Sequence, residues 1–302
     1  MFAVFVVLSV MLVAIALHEA GHLLAARFFG MSVSTFSIGL GPKIFGFRTR
    51  RGRMREIEWV VRALPVGGYV RIHGMFEGMA PREREFLISE GRTPEECSAL
   101  LATDRLYCNQ PWYKQAIVMS AGVCVNLACS MGTLILTLWL LGAPQPVDTV
   151  EADSPTSVGV HLPHEGAEVG TQPITLAKAT GLACSMVKEA SVDMLVALQR
   201  PVENVSSPIQ MVEQTNKVVQ RKLHPGFVWV VTFASLNCAI ALFNILPIPA
   251  LDGGHLVCAI FKATVGIPVP VVVQSLSSAV CVLLLSGLML FALIRDTLAL
   301  FR

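Results

Sequence analysis

Four long stretches of this chain carry no charged residue, and they restrict the fold more than any other feature of the sequence. They run over 2–17, 116–141, 226–250 and 269–294. About 20 apolar residues, each rising 1.5 Å along a helix, span the hydrocarbon core of a bilayer. Only 15% of the residues are charged, against about 25% in typical globular chains, so a soluble core of four buried helices would lack a polar cover. We therefore predict a mainly α-helical membrane protein with four transmembrane helices.

The same pattern divides the chain into regions. A signal peptide is an alternative for the first stretch, but that stretch lacks a basic start and its apolar pattern resumes up to residue 26. Short alternating segments at 44–47, 56–62 and 64–72 predict a small β-hairpin or sheet, whose edge could receive an extended peptide. The predicted regions are transmembrane helix 1 (1–30), a cytoplasmic-side region with a membrane-associated β-hairpin (31–115), helix 2 (116–142), an extracytoplasmic region with amphipathic helices (143–225), helix 3 (226–256) and helix 4 (269–295).

The basic residues predict an orientation in the membrane. Of 23 Lys and Arg residues, 14 lie between Arg27 and Lys114, and six lie in 142–225. Because basic loops stay in the cytoplasm, the 31–115 region is predicted to be cytoplasmic, and 143–225 lies on the opposite face. No basic patch typical of nucleic-acid binding is evident, so the expected partners are the lipid bilayer and membrane proteins. The eight cysteines show no metal-ligand spacing, which favours structural roles.

The sequence His-Glu-Ala-Gly-His at 18–22 interrupts the first apolar stretch. Two histidines four residues apart leave one face of a helix, so both can reach one metal ion. The glutamate between them, Glu19, is the usual general base of a zinc hydrolase with this spacing. Ionisable residues inside a membrane are costly and are usually functional. This segment therefore predicts part of a Zn²⁺ site with His18 and His22 as ligands.

Asp252 is the predicted third ligand. It ends an apolar stretch in which Pro247 and Pro249 cannot sustain a regular helix and the glycines at 253 and 254 free the backbone further. Unwound backbone at membrane depth is tolerated where it is buried in protein or lines a cavity. In the predicted topology, transmembrane helices 1 and 3 both run inward, so Asp252 and the two histidines reach the cytoplasmic half of the membrane. Three protein ligands leave the fourth position of the zinc open to water.

These two segments, with Phe36–Gly39, Leu64–Val70 and 204–208, resemble the site-2 proteases, which are intramembrane zinc metalloproteases. The resemblance is strongest to the bacterial regulator-of-sigma-E branch. It implies four transmembrane helices and cleavage of peptide bonds within the transmembrane helix of a single-pass membrane protein, such as an anti-sigma factor or a remnant signal peptide. It also implies regulated intramembrane proteolysis in a bacterial inner membrane, with the active site toward the cytoplasm. The residues it places near the substrate are Gly67, Gly68, Tyr69 and Asn244.

Three departures from the family pattern are visible. Between Pro144 and Ile174 lie some 30 residues that read as irregular, too few for the PDZ domain that this branch carries, so we predict that the chain lacks one. The family's Ser-Gly-Pro element reads Ser-Ser-Pro at 206–208, and its Ala-Gly-Pro element reads Ala-Gly-Val at 121–123. None of these departures replaces a predicted zinc ligand.

Several alternatives remain open at this stage. A membrane transporter also contains broken helices, but no inverted repeat is evident. A relative that binds without cleaving would not need Glu19. Asn126 could form an interhelical hydrogen bond or lie near the substrate, and His255 could support the metal site or act as a fourth ligand.

Overall fold

The computed structural model describes residues 2–49, 57–75, 88, 93–95, 97, 105–144, 171–199 and 225–300. Most of them are helical, and two long strands, β1 (Val33–Arg48) and β2 (Glu58–Ile72), form a sheet. Two shorter strands, β3 (Ala143–Pro144) and β4 (Thr171–Gln172), pair with each other. The predicted mainly helical fold with a small sheet is confirmed. The helices are α1 (Phe2–Phe28), α2 (Trp112–Leu141), α3 (Leu176–Gln199), α4 (Pro225–Asn244), α5 (Asp252–Val265) and α6 (Val271–Leu300).

Three of the described helices, α1, α2 and α6, are long and apolar enough to cross a membrane. The apolar part described for α4, Trp229–Asn244, is shorter, so the fourth span stays a prediction. The predicted region 226–256 does not form one helix, because α4 ends at Asn244 and α5 begins at Asp252. The two prolines between them lack the N–H that a helix requires. Residues 145–170 and 200–224, where a PDZ domain was predicted to be missing, lie outside the described residues.

The described chain packs as two units, and the first comprises residues 1–14, 126–243 and 284–302. Its apolar core joins α1 to α4 through Val6 and Val10, which are fully buried, and Leu236. The Ser130 hydroxyl of α2 donates a hydrogen bond to the Ala234 carbonyl of α4, at 2.8 Å. Asn126 is fully buried, and neither of its amide atoms is hydrogen-bonded within the described part of the chain. The predicted interhelical hydrogen bond of Asn126 is therefore not observed.

The second unit comprises residues 15–125 and 244–283, and it contains the predicted site. Its core joins the end of α1 to the sheet, to α2 and to a 3₁₀ turn at Tyr107–Asn109. The residues buried in this core are Leu23, Ala26, Met31, Val33, Phe36, Ile57, Ile72, Tyr107, Val118 and Met119.

The sheet is larger than the predicted hairpin, because β1 begins at Val33 and each strand bends. Gly39 and Gly41 in β1 and Gly67 in β2 adopt left-handed backbone conformations, with φ of +85°, +84° and +74°. Such values favour glycine and mark points where a strand changes direction. Sequence periodicity missed the first half of β1 because these glycines interrupt its alternation.

The register shows how the bent strands lie. Ser37 is opposite both Tyr69 and Val60, and Phe45 is opposite Val61. The strand segments therefore lie in the order 68–72, 33–38, 58–62, 43–48. The segment 68–72 is antiparallel to 33–38, and 43–48 is antiparallel to 58–62. The segment 68–72 is one edge of this sheet, and 43–48 is the other.

Candidate metal centre

Two histidines of α1 place one ring nitrogen each at the same point. His18 and His22 are buried, at 7% and 6% exposure. Their rings meet edge to face with centroids 4.8 Å apart, and the two Nε2 atoms are 3.3 Å apart. The spacing of four residues puts both rings on one face of the helix. Two imidazole nitrogens directed at one point can bind one cation together.

Asp252, the first residue of α5, brings a carboxylate to the same point. Its Oδ2 atom lies 2.9 Å from His18 Nε2 and 3.2 Å from His22 Nε2. The two nitrogen atoms and the oxygen atom thus form a triangle, although Asp252 lies 230 positions beyond His22 along the chain. Within the described residues this is the one group of three or more such side chains that could hold a metal ion.

The loop before α5 aims the carboxylate. The loop turns back on itself, with a hydrogen bond from Ile248 N–H to the Leu246 carbonyl at 2.7 Å and one from Leu251 N–H to the Ile248 carbonyl at 2.9 Å. A Cβ atom at Gly253 would collide with the carbonyl groups of Ile245 and Leu246. The absence of a side chain at Gly253 therefore lets the loop close over the first turn of α5.

The triangle fits a tetrahedral zinc ion. Bonds of about 2.0–2.1 Å to nitrogen and oxygen at the tetrahedral angle separate the ligand atoms by about 3.3 Å. The observed edges of 2.9, 3.2 and 3.3 Å are close to that separation. Two imidazoles and one carboxylate are the ligand types of catalytic zinc sites, where the fourth position takes water or substrate. The residues present therefore fit this metal and leave its fourth position open.

A main-chain carbonyl of α2 fixes the orientation of His22. Its Nδ1 atom lies 2.7 Å from the Val118 oxygen, and a carbonyl only accepts hydrogen bonds. Nδ1 therefore carries the proton and donates it, which leaves Nε2 as the nitrogen that can offer its lone pair to a metal. Metal-bound histidines commonly have such a partner on their other nitrogen. Because every residue has a carbonyl, no sequence signal could have identified Val118.

Glu19 lies between the histidines and faces the sheet. The backbone N–H of Val70 in β2 faces its carboxylate. A Cβ atom at Gly68 would lie 3.1 Å from Glu19 Cγ and 3.0 Å from Ile15 Cγ2. Gly68 therefore leaves room for the Glu19 side chain, and the edge segment 68–72 runs directly beside it.

The other predicted substrate residues occupy different places. Gly67 lies against the side chain of Leu40, since a Cβ there would be 3.3 Å from Leu40 Cδ1. The Tyr69 hydroxyl accepts a hydrogen bond of 2.8 Å from the Arg62 guanidinium, which also lies over the tyrosine ring. Asn244 is the half-buried last residue of α4, at the start of the loop that leads to Asp252.

His255 is not part of the convergent group of ligands. It lines an open pocket together with Cys258 of the same helix and Lys262 one turn later. The alternative of a fourth protein ligand is therefore not supported.

A mainly helical chain with apolar helices and a buried group of two histidines and a carboxylate beside a glutamate has the features of a membrane metalloprotease. The sequence profile of the family described as Peptidase family M50 matches residues 6–288. A protein of Brucella suis biovar 1, named as a candidate zinc metalloprotease, is 25% identical over 97% of this chain and 94% of its own length. Metalloprotease MmpA of Caulobacter vibrioides is 23% identical over 96% of this chain and 94% of its own length.

The chain therefore belongs to peptidase family M50. It is an integral membrane protein and a zinc metalloprotease of the site-2 type, and these predictions are confirmed. A further relative from Clostridium acetobutylicum, also named as a candidate zinc metalloprotease, is 26% identical over 84% of this chain and 85% of its own length. Membership of this family favours the protease over the membrane transporter.

Proposed function

We propose that His18, His22 and Asp252 hold the catalytic zinc and that Glu19 is the general base for hydrolysis of a peptide bond. The observation that carries this proposal is the convergence of two Nε2 atoms and one carboxylate oxygen at 2.9–3.3 Å. The same helix turn that supplies the histidines also supplies Glu19, so base and metal ligands are held by one rigid element. When bound by these residues, zinc would supply Lewis-acid chemistry and would lower the pKa of a water molecule to about 7.

The residues of the chain move the protons. The Glu19 carboxylate accepts a proton from the attacking water, whose oxygen adds to the carbonyl carbon of the substrate. The same carboxyl group then gives the proton to the amide nitrogen, and the C–N bond breaks to leave an amine and a new carboxylic acid, whose remaining proton passes to the amine. The Val70 N–H steadies Glu19 in this role, and the Val118 carbonyl keeps the proton of His22 on Nδ1.

The substrate is proposed to add to the sheet as an extended strand. Peptide bonds in a helix are hydrogen-bonded within the helix, so a transmembrane helix has to unwind before its carbonyl groups can react. Among the described residues the edge segment 68–72 has one neighbouring strand segment, 33–38, and it passes close to Glu19 at Gly68. A strand edge offers main-chain groups that an extended peptide can pair with. In this arrangement Gly67, Gly68, Tyr69 and Asn244 lie along the substrate path.

The substrates proposed are single-pass transmembrane proteins of the anti-sigma factor or remnant signal peptide type, cleaved by regulated intramembrane proteolysis. The excess of Lys and Arg between the first two spans supports an active site toward the cytoplasm of a bacterial inner membrane. Four spans, with the sheet region at 31–115 on the cytoplasmic side and 143–225 outside, make up the proposed topology.

The test uses the full chain in proteoliposomes with a single-pass reporter protein. Glu19→Gln keeps the shape of the side chain and removes the base, so we expect zinc to be retained and cleavage to fall by at least about 100-fold. Asp252→Ala is expected to lose zinc and cleavage together. Glu189→Gln makes the same chemical change at an exposed position of α3 and serves as the control, with activity equal to wild type.

Normal cleavage by Glu19→Gln would refute the proposed base. Zinc content equal to wild type in Asp252→Ala would refute the third ligand. If the wild-type protein holds the reporter without cleaving it, the binding-only alternative is correct. Cleavage of a soluble extended peptide but not of the membrane reporter would refute the substrate class while leaving the chemistry intact.

A further inference from the structure

We infer that Gly122 of α2 is a positioning residue of the zinc site, because its lack of a side chain lets α2 lie directly against both metal-binding imidazoles. The inference rests on the proposed zinc ligands. It concerns a helix that supplies none of them.

The geometry at Gly122 leaves no room for even a methyl group. A Cβ atom there would lie 2.7 Å from His18 Cε1 and 2.9 Å from His18 Nδ1, and it would overlap His22 Nε2 still more closely. Separations below 3.0 Å are essentially never seen for real Cβ atoms. The atom most affected, His22 Nε2, is the one that would bind the metal.

The rings have little freedom to move aside. His22 is held on its other nitrogen by the Val118 carbonyl, at 2.7 Å. His18 is buried and packs edge to face against His22. A methyl group at Gly122 would therefore move at least one Nε2 atom away from the triangle or separate α2 from α1.

Val118 and Gly122 act from one face of α2, since they are four residues apart. The two helices also meet through their backbones at the same level. A Cβ atom at Gly21 of α1 would lie 2.6 Å from the Ala121 carbonyl oxygen and 3.0 Å from Gly122 Cα. The contact between the helices and the position of the imidazoles are thus set by the same turn of α2.

A competing explanation is that Gly122 serves only the close packing of two membrane helices, as small residues often do. The two explanations predict different results. Packing alone predicts that Gly122→Ala and Gly21→Ala have similar effects, since each adds one methyl group to the helix contact. Positioning predicts that Gly122→Ala weakens zinc binding far more, because its methyl group would meet the rings first, whereas that of Gly21→Ala would meet the backbone of α2 first.

The chain offers a matched control on the same helix. A Cβ atom at Gly132 would meet nothing within 4 Å among the described residues. Gly132→Ala therefore makes the same substitution in α2 without a collision.

The experiment measures zinc affinity of the purified full chain in detergent by competition with a chromophoric chelator. The visible spectrum of the Co²⁺-substituted protein reports the coordination geometry. We expect Gly122→Ala to bind zinc about 10–100-fold more weakly and to shift the Co²⁺ bands. We expect Gly132→Ala to match wild type, Gly21→Ala to change affinity by less than Gly122→Ala, and Asp252→Ala to lose the site.

The outcomes separate this inference from the proposed function. If Asp252→Ala loses zinc while Gly122→Ala binds as wild type with an unchanged Co²⁺ spectrum, the inference is wrong and the proposed ligands stand. Equal losses in Gly122→Ala and Gly21→Ala would also overturn it in favour of packing. Zinc binding by Asp252→Ala equal to wild type would overturn the ligand set and this inference with it.

A second measurement applies if Gly122→Ala does not fold. Replacing both rings by alanine, in His18→Ala and His22→Ala, removes the collision, so the triple variant is expected to recover helical structure that Gly122→Ala alone lacks. Failure of the two histidine substitutions to restore folding would show that the rings are not what the methyl group meets, and would overturn the inference.

Discussion

The hydroxyl group of Ser278 donates a hydrogen bond to the carbonyl of Pro249, at 2.8 Å. This contact ties α6 to the loop that aims Asp252 at the two histidines. The loop has few internal hydrogen bonds, because two of its residues are prolines and lack an N–H. A side chain 26 residues beyond Asp252 along the chain therefore helps to hold a metal ligand in place.

Replacing Ser278 by alanine is expected to weaken zinc binding without removing it. One hydrogen bond contributes about 0.5–1.5 kcal/mol net. If this bond stabilises the zinc-bound form and not the zinc-free form, its loss lowers the affinity for zinc about 2–10-fold. Chelator competition measures the change. Ser277→Ala is the control, since the Ser277 hydroxyl bonds to the Gln274 carbonyl of its own helix. Equal effects of the two variants would show that the loop does not depend on Ser278.

Replacing Gly253 by alanine is expected to destabilise the protein and to abolish zinc binding. The added methyl group would meet the main-chain carbonyls of Ile245 and Leu246, and backbone cannot rotate away as a side chain can. Overpacking of this kind costs about 1–3 kcal/mol, and Asp252 moves with the loop. Thermal unfolding and zinc content in detergent measure both effects.

Gly287 of α6 supplies the control for that variant, since a Cβ atom there would meet nothing within 4 Å in the described chain. Gly287→Ala is expected to be neutral or slightly stabilising, because alanine favours helix. A Gly253→Ala protein with normal zinc content would show that the loop tolerates the methyl group and that its closure is not needed to aim Asp252.

The residue types of the site were predictable from sequence, and the way they are held was not. His18, Glu19 and His22 are identified by their spacing, and Asp252 by an acidic residue beside two prolines in an apolar stretch. The Val118 carbonyl carries no signal, since every residue has one. The steric role of a glycine such as Gly122 depends on what lies opposite, which only the packed structure reveals.

The sheet shows the same limit. The alternation at 56–62 and 64–72 predicted strands, but Gly39 and Gly41 interrupt the pattern of β1 and concealed its first half. The residues at 33–38 lie inside the sheet, between the edge segment 68–72 beside Glu19 and the hairpin formed by 43–48 and 58–62. The periodicity of a short segment does not reveal that β1 and β2 both bend, or that one segment of each strand has a partner on both of its sides.

Replacing Gly68 by alanine is expected to lower the rate of cleavage while leaving zinc binding unchanged. The new Cβ atom would lie 3.1 Å from Glu19 Cγ and 3.0 Å from the Ser37 carbonyl oxygen, so the base or the strand edge has to shift. Complete loss of a general base lowers the rate about 10²–10⁴-fold. A shift of the base by a few tenths of an ångström is expected to lower the rate at least about tenfold. Initial rates with the single-pass reporter, together with zinc content, check this prediction. A loss of zinc in the same variant would contradict it, because Gly68 touches none of the three ligands.

Removing zinc is expected to stop cleavage and to lower the thermal stability of the wild-type protein. A ligand that binds only the folded state stabilises it by RT ln(1 + [L]/Kd), about 2.7 kcal/mol at 100 times the dissociation constant. The apolar cores of the protein do not include the metal ligands, so the fold is expected to persist after zinc removal with a lower unfolding midpoint. Thermal scans after treatment with a chelator and after readdition of Zn²⁺ measure the shift, and Mg²⁺ is the control ion because it prefers six oxygen ligands. Since Asp252→Ala removes one ligand, its unfolding midpoint should not respond to zinc, and a shift as large as in wild type would place the metal elsewhere.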